Sequence, residues 1–270
     1  MVLVLALIEH SLSIVNNTPT YIWQRTENVS FSHFLHVYSL KSHAFILSNW
    51  DYNIVLGIFI FIVSKIATFT WNFMDLFIML ISTGLAERYK VLNNKMTKSM
   101  SENHTVDDWR IFRECYGAMS SLVKKVDNDV SPVVLLSFAN NLYFICLQLL
   151  NGISPQKDDV LSSIYFFGSF GFLVSRTIAV TLMAARIHDQ SKLALPIIYT
   201  CPASTYCTET QRLQHQLTTD DIALTGLRFF SITRNFMLAV CKSFQRNKLM
   251  FNLLRYCTYT HIINCRMLLY

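Results

Sequence analysis

The stretch Ile54-Val55-Leu56-Gly57-Ile58-Phe59-Ile60-Phe61-Ile62-Val63-Ser64-Lys65-Ile66-Ala67-Thr68-Phe69-Thr70-Trp71-Asn72-Phe73-Met74-Asp75-Leu76-Phe77-Ile78-Met79-Leu80-Ile81-Ser82 decides the fold. It exceeds the roughly 20 apolar residues that a helix needs to cross the hydrocarbon core of a bilayer. It also carries Lys65, Thr68, Asn72 and Asp75. A charge at the centre of a membrane costs at least ~2.5 kcal/mol unless a partner or water receives it. At about 100° per residue the four positions fall within about 80° of one another, so they form one polar stripe on an apolar rod. That stripe must face protein or a cavity.

Composition agrees. Hydrophobic residues make up 52% and charged residues 15% of the chain, and the mean hydropathy is +0.34, an apolar excess over the usual soluble balance. The net charge of +6 is not gathered into a basic, aromatic-interleaved face, which argues against nucleic acid as a partner. Two further apolar runs, 133–153 and 164–185, are separated by a short polar turn and read as an antiparallel helical hairpin across the bilayer. A fourth begins near Leu227 and is interrupted after Val240 by Lys242, Arg246 and Lys248, giving a partial span over 227–240. The run from Val2 to Val15 is too short for a comfortable complete span. With no basic region before it and no small-residue cleavage site after it, it reads as the end of a helix whose beginning is missing. The expected fold is therefore all-α, a polytopic membrane helix bundle.

Lys and Arg set the orientation. Eight of them lie between Ala86 and Ser131, against Arg25 and Lys41 alone between Asn16 and Asp51, so the first connection is expected to be cytoplasmic. Within it, Val106, Trp109, Phe112, Tyr116, Met119, Val123 and Val126 recur at helical spacing, predicting a helix that runs into the span at Val133. Leu213, Leu217, Leu224 and Leu227 predict another that leads into the last apolar segment, with Thr219, Asp220 and Asp221 as a break or cap.

The chain holds no phosphate loop, dinucleotide turn, nucleophile elbow or zinc-protease helix, so no catalytic residue, metal site or cofactor is expected, and an enzyme is not. Its cysteines are scattered, none in the loops read as extracellular. The remaining chemistry lies in the spans. Asp75, Trp71 one turn away, and Arg176 are candidates for a buried pair that holds or gates the bundle. Candidate ligand groups are Glu9 and His10 at the outer end of the first segment, Lys65 and Thr68 on the stripe, and Asn141, Tyr143 and Tyr165 in the hairpin. Amides, carboxylates and aromatic faces are the groups that bond sugar hydroxyls and stack on sugar rings, although membrane asparagines also serve as interhelical hydrogen bonders.

Thr68 to Ser82, with Trp71 to Ser82 its most specific part, resembles the fourth helix of insect gustatory receptors of the sugar-sensing clade. Ala6 to His10 resembles the end of their third helix and Arg176-Thr177 their sixth. Ser204 to Cys207 with Gln211 to Leu213 resembles the loop before the seventh, and Leu224-Thr225-Gly226, Phe229-Phe230 and Thr233-Arg234 its start. The resemblance implies a seven-helix, ligand-gated, nonselective cation channel of the plasma membrane, with a cytoplasmic N-terminus in the full family chain. It further implies a homo- or hetero-tetramer with other gustatory receptor subunits, surrounded by lipid, and a sugar pocket in the outer half of the bundle. The first two family helices are absent and the tail 241–270 departs from the pattern, so the chain is expected to be a partial receptor over 1–240. The alternative is a nonconducting membrane protein that packs with, or interferes with, full-length subunits.

Overall fold

The computed structural model describes residues 7, 11, 30–42, 47, 51–99, 105–153, 160–203, 205–239 and 242; the side chains of 41, 42, 99, 151–153 and 160–165 lie outside that description. The partial span over 2–15, apart from residues 7 and 11, and the tail 241–270, apart from residue 242, thus lie outside the described residues. The elements in order are α1 (Phe31–Ser42), α2 (Ile54–Ser99), α3 (Val106–Ile153), α4 (Val160–Lys192), α5 (Ala194–Tyr199) and α6 (Thr208–Thr219). Among the described residues three stretches, Ile54–Lys98, Val106–Leu150 and Phe166–Tyr199, are long and apolar enough to cross a membrane. The fold is an all-α membrane bundle.

The helices outrun the apolar runs. Past Ser82, α2 continues because Leu85, Ala86, Tyr89, Asn93 and Met96 recur on one buried face while Arg88, Lys90 and Lys95 stay exposed. The apolar run ends where solvent is expected to begin, and amphipathic periodicity carries the helix onward to Ser99. α3 forms as one helix of 48 residues that passes through Pro132. Its first turn is fixed by Thr105 and Asp108: the Thr105 backbone N–H donates to Asp108 Oδ2 at 2.9 Å, and the Asp108 N–H donates to Thr105 Oγ1 at 3.3 Å. This reciprocal capping satisfies donors that a helix N-terminus leaves open.

The chain divides into two compact units, residues 1–77 with 140–177 and residues 78–139 with 178–270. In the first, α1 docks on the opening turns of α2 through rings: Phe34 and Tyr38 form T-shaped pairs with Phe61, centroids 6.4 and 5.4 Å apart. Tyr52 lies against His36 at 4.3 Å, and its hydroxyl occupies the space that a Cβ on Gly57 would need, 2.7 Å away.

In the second unit, Trp109, Tyr116, Val123, Ile187, Leu213 and Leu224 are buried in a core of its own. The helix expected through Leu213 and Leu217 forms and ends at Thr219 with Asp220 as its C-cap, at the break or cap expected there, but its continuation through Leu224 and Leu227 is corrected: those residues are not helical. Lys192 Nζ donates to the Leu217 and Asp220 carbonyls at 2.7 and 2.6 Å and closes the helix end. Residues 220–233 are not helical, and Thr225 and Ser231 pair as an isolated antiparallel bridge. Asp127 imposes this conformation by accepting the Thr225 backbone N–H at 2.6 Å and its hydroxyl at 2.8 Å. Helix resumes at 234–239.

Candidate functional site

Within the first unit, the residues that carry polar chemistry share helix faces at heptad-like spacing. α2 supplies Thr68, Trp71, Asn72 and Asp75; α3 supplies Asn141, Phe144 and Gln148; α4 supplies Ser169, Phe172 and Arg176. Spacings of three, four and seven place each set on one face. The stripe of α2 is its less exposed side: Lys65 and Thr68 are half-buried, Asn72 and Asp75 buried.

Asp75 and Arg176 are brought together. Arg176 Nε lies 2.8 Å from Asp75 Oδ2, and the two side chains are only 3% and 0% exposed. Arg176 Nη1 also donates to Asn72 Oδ1, and Nη2 donates to Asn141 Oδ1 at 2.9 Å. The Asn141 amide donates to both Asp75 oxygens at 3.3 and 3.2 Å, while its carbonyl oxygen accepts from Trp71 Nε1 at 3.1 Å. The guanidinium carbon stands 4.1 Å from the Trp71 ring centroid, and Trp71 stacks on Phe144 at 4.4 Å. A guanidinium suits such a place because its fork matches several acceptors and its faces stack on aromatic rings.

A second polar layer lies about two turns, roughly 10 Å, along the helices. Thr68 precedes Asp75 by seven residues, Gln148 follows Asn141 by seven, and Ser169 precedes Arg176 by seven. α3 runs opposite to its neighbours in the expected hairpin, so all three fall on the same side of the ion pair. Gln148 Nε2 donates to Ser169 Oγ at 3.0 Å. Its buried Oε1 has no hydrogen-bond partner among the described residues. One turn beyond Thr68, the Lys65 ammonium sits 4.6 Å from the Phe61 ring centroid and 5.2 Å from that of Tyr38, and the Tyr38 and Ser64 hydroxyls are 3.4 Å apart.

Of the residues singled out by sequence, Trp71, Asp75, Arg176 and Asn141 thus form one cluster, with Asn141 committed on both amide atoms rather than open to a ligand. Thr68 donates its hydroxyl to the Ser64 carbonyl at 2.9 Å. Tyr143 is 61% exposed on the outer surface of α3, because it is two positions from Asn141 and so about 200° around the helix. Glu9 and His10 lie outside the described residues, and Tyr165 falls in α4 with its side chain outside the description. Phe144 and Ser169 were missed. Their signal is the spacing to Asn141 and Arg176, visible only once the partner across the helix pair is known. Among the described residues no group of three His, Cys, Asp or Glu could hold a metal ion.

A family model described as trehalose receptor matches residues 1–255. The gustatory receptor 5a for trehalose of Drosophila melanogaster is 34% identical over 240 residues, covering 89% of this chain and 53% of that protein. Gustatory receptors for sugar taste 64f and 64a of the same organism are 35% and 33% identical over 203 and 238 residues. They cover 75% and 87% of this chain and 43% and 52% of those proteins. The chain spans about half the length of the curated relatives it matches.

Proposed function

Because the chain belongs to the trehalose receptor family, we propose that it is a sugar-sensing gustatory receptor subunit that contributes to a ligand-gated, nonselective cation channel of the plasma membrane. It works as a multi-pass subunit of a homo- or hetero-tetramer, with the N-terminus of the full family chain in the cytoplasm. The observation that carries the reading is the second polar layer: Thr68, Gln148 and Ser169 at one depth of an apolar bundle, with a buried Gln148 oxygen that no described residue satisfies. A buried acceptor without a donor is unfavourable by about 1–3 kcal/mol. A sugar hydroxyl supplies the missing donor. The ion pair one layer deeper positions the helices that carry these groups.

The test is recording from cells that express the chain alone and together with a complete sugar receptor, with trehalose as the first probe. A trehalose-evoked cation current from the chain, lost in Gln148→Leu at unchanged surface level, supports the reading. Suppression of the partner's current with none from the chain supports instead a nonconducting protein that packs with full-length subunits.

A further inference from the structure

The junction between α1 and the opening turns of α2 is rich in hydrogen-bond donors. On α2, Phe61, Ser64, Lys65 and Thr68 form the half-buried side, while Ile62, Val63, Ile66 and Phe69 are exposed. The Tyr38 hydroxyl of α1 lies 3.4 Å from the Ser64 hydroxyl. The Lys65 ammonium sits over the Phe61 and Tyr38 rings, 4.6 and 5.2 Å from their centroids. Ser39, beside Tyr38 on the buried face of α1, is fully covered, and its Oγ has no hydrogen-bond partner among the described residues. One ammonium and three hydroxyls, each with a proton to give, thus belong to this junction.

Negative charge is scarce along the same two helices. α1 contains no Asp or Glu, and α2 contains none from Ile54 to Met74. Asp51, in the connection between them, is exposed. Asp75 lies ten residues from Lys65, about 15 Å along α2, and is committed to Arg176 at 2.8 Å and to the Asn141 amide. Ring faces attract an ammonium through their quadrupole but bring no net charge to offset its own. Within a bundle of low dielectric, a carboxylate therefore interacts with Lys65 far more strongly than a neutral hydroxyl does. Thr68, one turn from Lys65, stands at the level of Gln148, whose buried Oε1 calls for the opposite group, a donor. The bundle thus asks for a hydroxyl at one level and an anionic acceptor at the next.

We propose that the bundle takes an acidic sugar, a hexuronate, whose carboxylate binds the Lys65 ammonium and the Tyr38–Ser64 hydroxyl pair while a ring hydroxyl donates to Gln148 Oε1. The inference rests on the reading of the bundle as a sugar site and adds to it the class of sugar. A hexuronate differs from its parent hexose only in carrying a carboxylate where the hexose has a primary alcohol. Both satisfy the Gln148 oxygen; the acid alone brings a negative charge to the donor-rich junction. Lys65 is thereby a specificity-determining residue, acting on the one group in which the two sugars differ.

The test is a ligand-observed NMR titration of the full chain in phosphatidylcholine nanodiscs at neutral pH, with D-glucuronate, D-glucose, trehalose and acetate as probes. Glucuronate is expected to bind about tenfold more tightly than glucose, the size of one charge-assisted hydrogen bond, and acetate, which lacks the ring, to compete weakly. The preference for glucuronate over glucose is expected to survive in Lys65→Arg, which keeps the charge, and to vanish in Lys65→Met. Equal affinities for the acid and its parent sugar, or an unchanged preference in Lys65→Met, would overturn the inference. Acetate competing as well as glucuronate would overturn it too, since a carboxylate from any source would then serve. Trehalose binding without a preference for the acid overturns this inference alone, whereas failure of every sugar to bind overturns the sugar-site reading beneath it.

Discussion

Asp75 and Arg176 meet at 2.8 Å with almost no exposure, whereas Arg113 and Glu209 meet at 2.7 Å with 31% of the arginine side chain open to solvent. The distances differ by 0.1 Å; the surroundings differ far more. In the first unit the charges are sealed among helices and bound into one network in which every donor constrains another, through Asn72, Asn141 and Trp71. In the second unit the polar contacts are spread out: Arg113 to Glu209, Lys124 to Asp220, Asp127 to Thr225, Tyr116 to Asn93. Two charges in a low-dielectric interior interact far more strongly than two near water, but each has also lost its hydration. The buried pair therefore matters chiefly through the uncompensated charge left behind when half of it is removed, and the exposed contacts matter through their sum.

Arg176→Met puts this contrast under the greatest load, because it leaves the buried Asp75 carboxyl without its main partner. The expected loss is about 3–5 kcal/mol, read as a fall in thermal stability in nanodiscs. The double variant Asp75→Leu with Arg176→Met is expected to recover most of that loss, because a well-packed apolar pair replaces a buried ion pair at little net change. A receptor that tolerates Arg176→Met as well as the double variant would remove the distinction between the units. In a conducting receptor that carries this helix, Asp75→Asn is expected to impair assembly or the sugar response, and normal surface expression with an unchanged dose response would contradict that role.

Next in size is Asp127→Ala, which deprives Thr225 of the acceptor for both its backbone and hydroxyl protons. A loss of about 2 kcal/mol is expected, with faster amide exchange confined to 224–232, where the bridge depends on that carboxylate. Smaller still is Tyr116→Phe. The phenol donates to Asn93 Oδ1, and Asn93 keeps its own bond to the Gln190 carbonyl at 2.9 Å, so about 1 kcal/mol is expected in the same thermal assay. A loss from Tyr116→Phe as large as that from Arg176→Met would mean that the second unit also rests on one cooperative network.

The first unit was the more legible of the two in the sequence. A polar residue inside an apolar run is a signal in itself, and the 80° confinement of Lys65, Thr68, Asn72 and Asp75 states which way the helix must face. Arg176 stands out in its own run for the same reason. The partner of each group was not legible: Asn141 reads equally as a sugar contact and as an interhelical bond until Asp75, Trp71 and Arg176 are seen around it. In the second unit the helices past Ser82 and before Val133 share one amphipathic rhythm; it is plain before Val133, where Trp109, Phe112 and Tyr116 mark it, and fainter past Ser82, where Ala86 and Asn93 stand on the buried face. The turn between Thr225 and Ser231 escaped entirely. Leu224 and Leu227 continue the helical rhythm of Leu213 and Leu217, and the side chain that overrides it, Asp127, is distant in sequence.

Glu209 offers the finest test, since it weighs a pair that solvent still reaches. The guanidinium of Arg113, hydrogen-bonded to it, holds its carboxyl below the usual carboxylate range against the opposing effect of burial, and Arg212, at 2.8 Å, adds a lesser effect in the same direction as Arg113. A carboxyl whose folded value lies below its unfolded one binds protons less readily when folded, so it stabilises the fold at neutral pH. That contribution is present above the unfolded value and is lost as pH falls through the folded one. Glu209→Gln is therefore expected to lower the melting temperature slightly at pH 7, with a gap to the parent that closes as the solution is acidified below the carboxylate range. Added salt should narrow the gap at pH 7, as it screens exposed pairs, while the gap produced by Arg176→Met should barely respond. A Glu209→Gln deficit that persists unchanged in acid and in high salt would show that the carboxylate acts through packing and not through charge, and would erase the electrostatic difference between the two units.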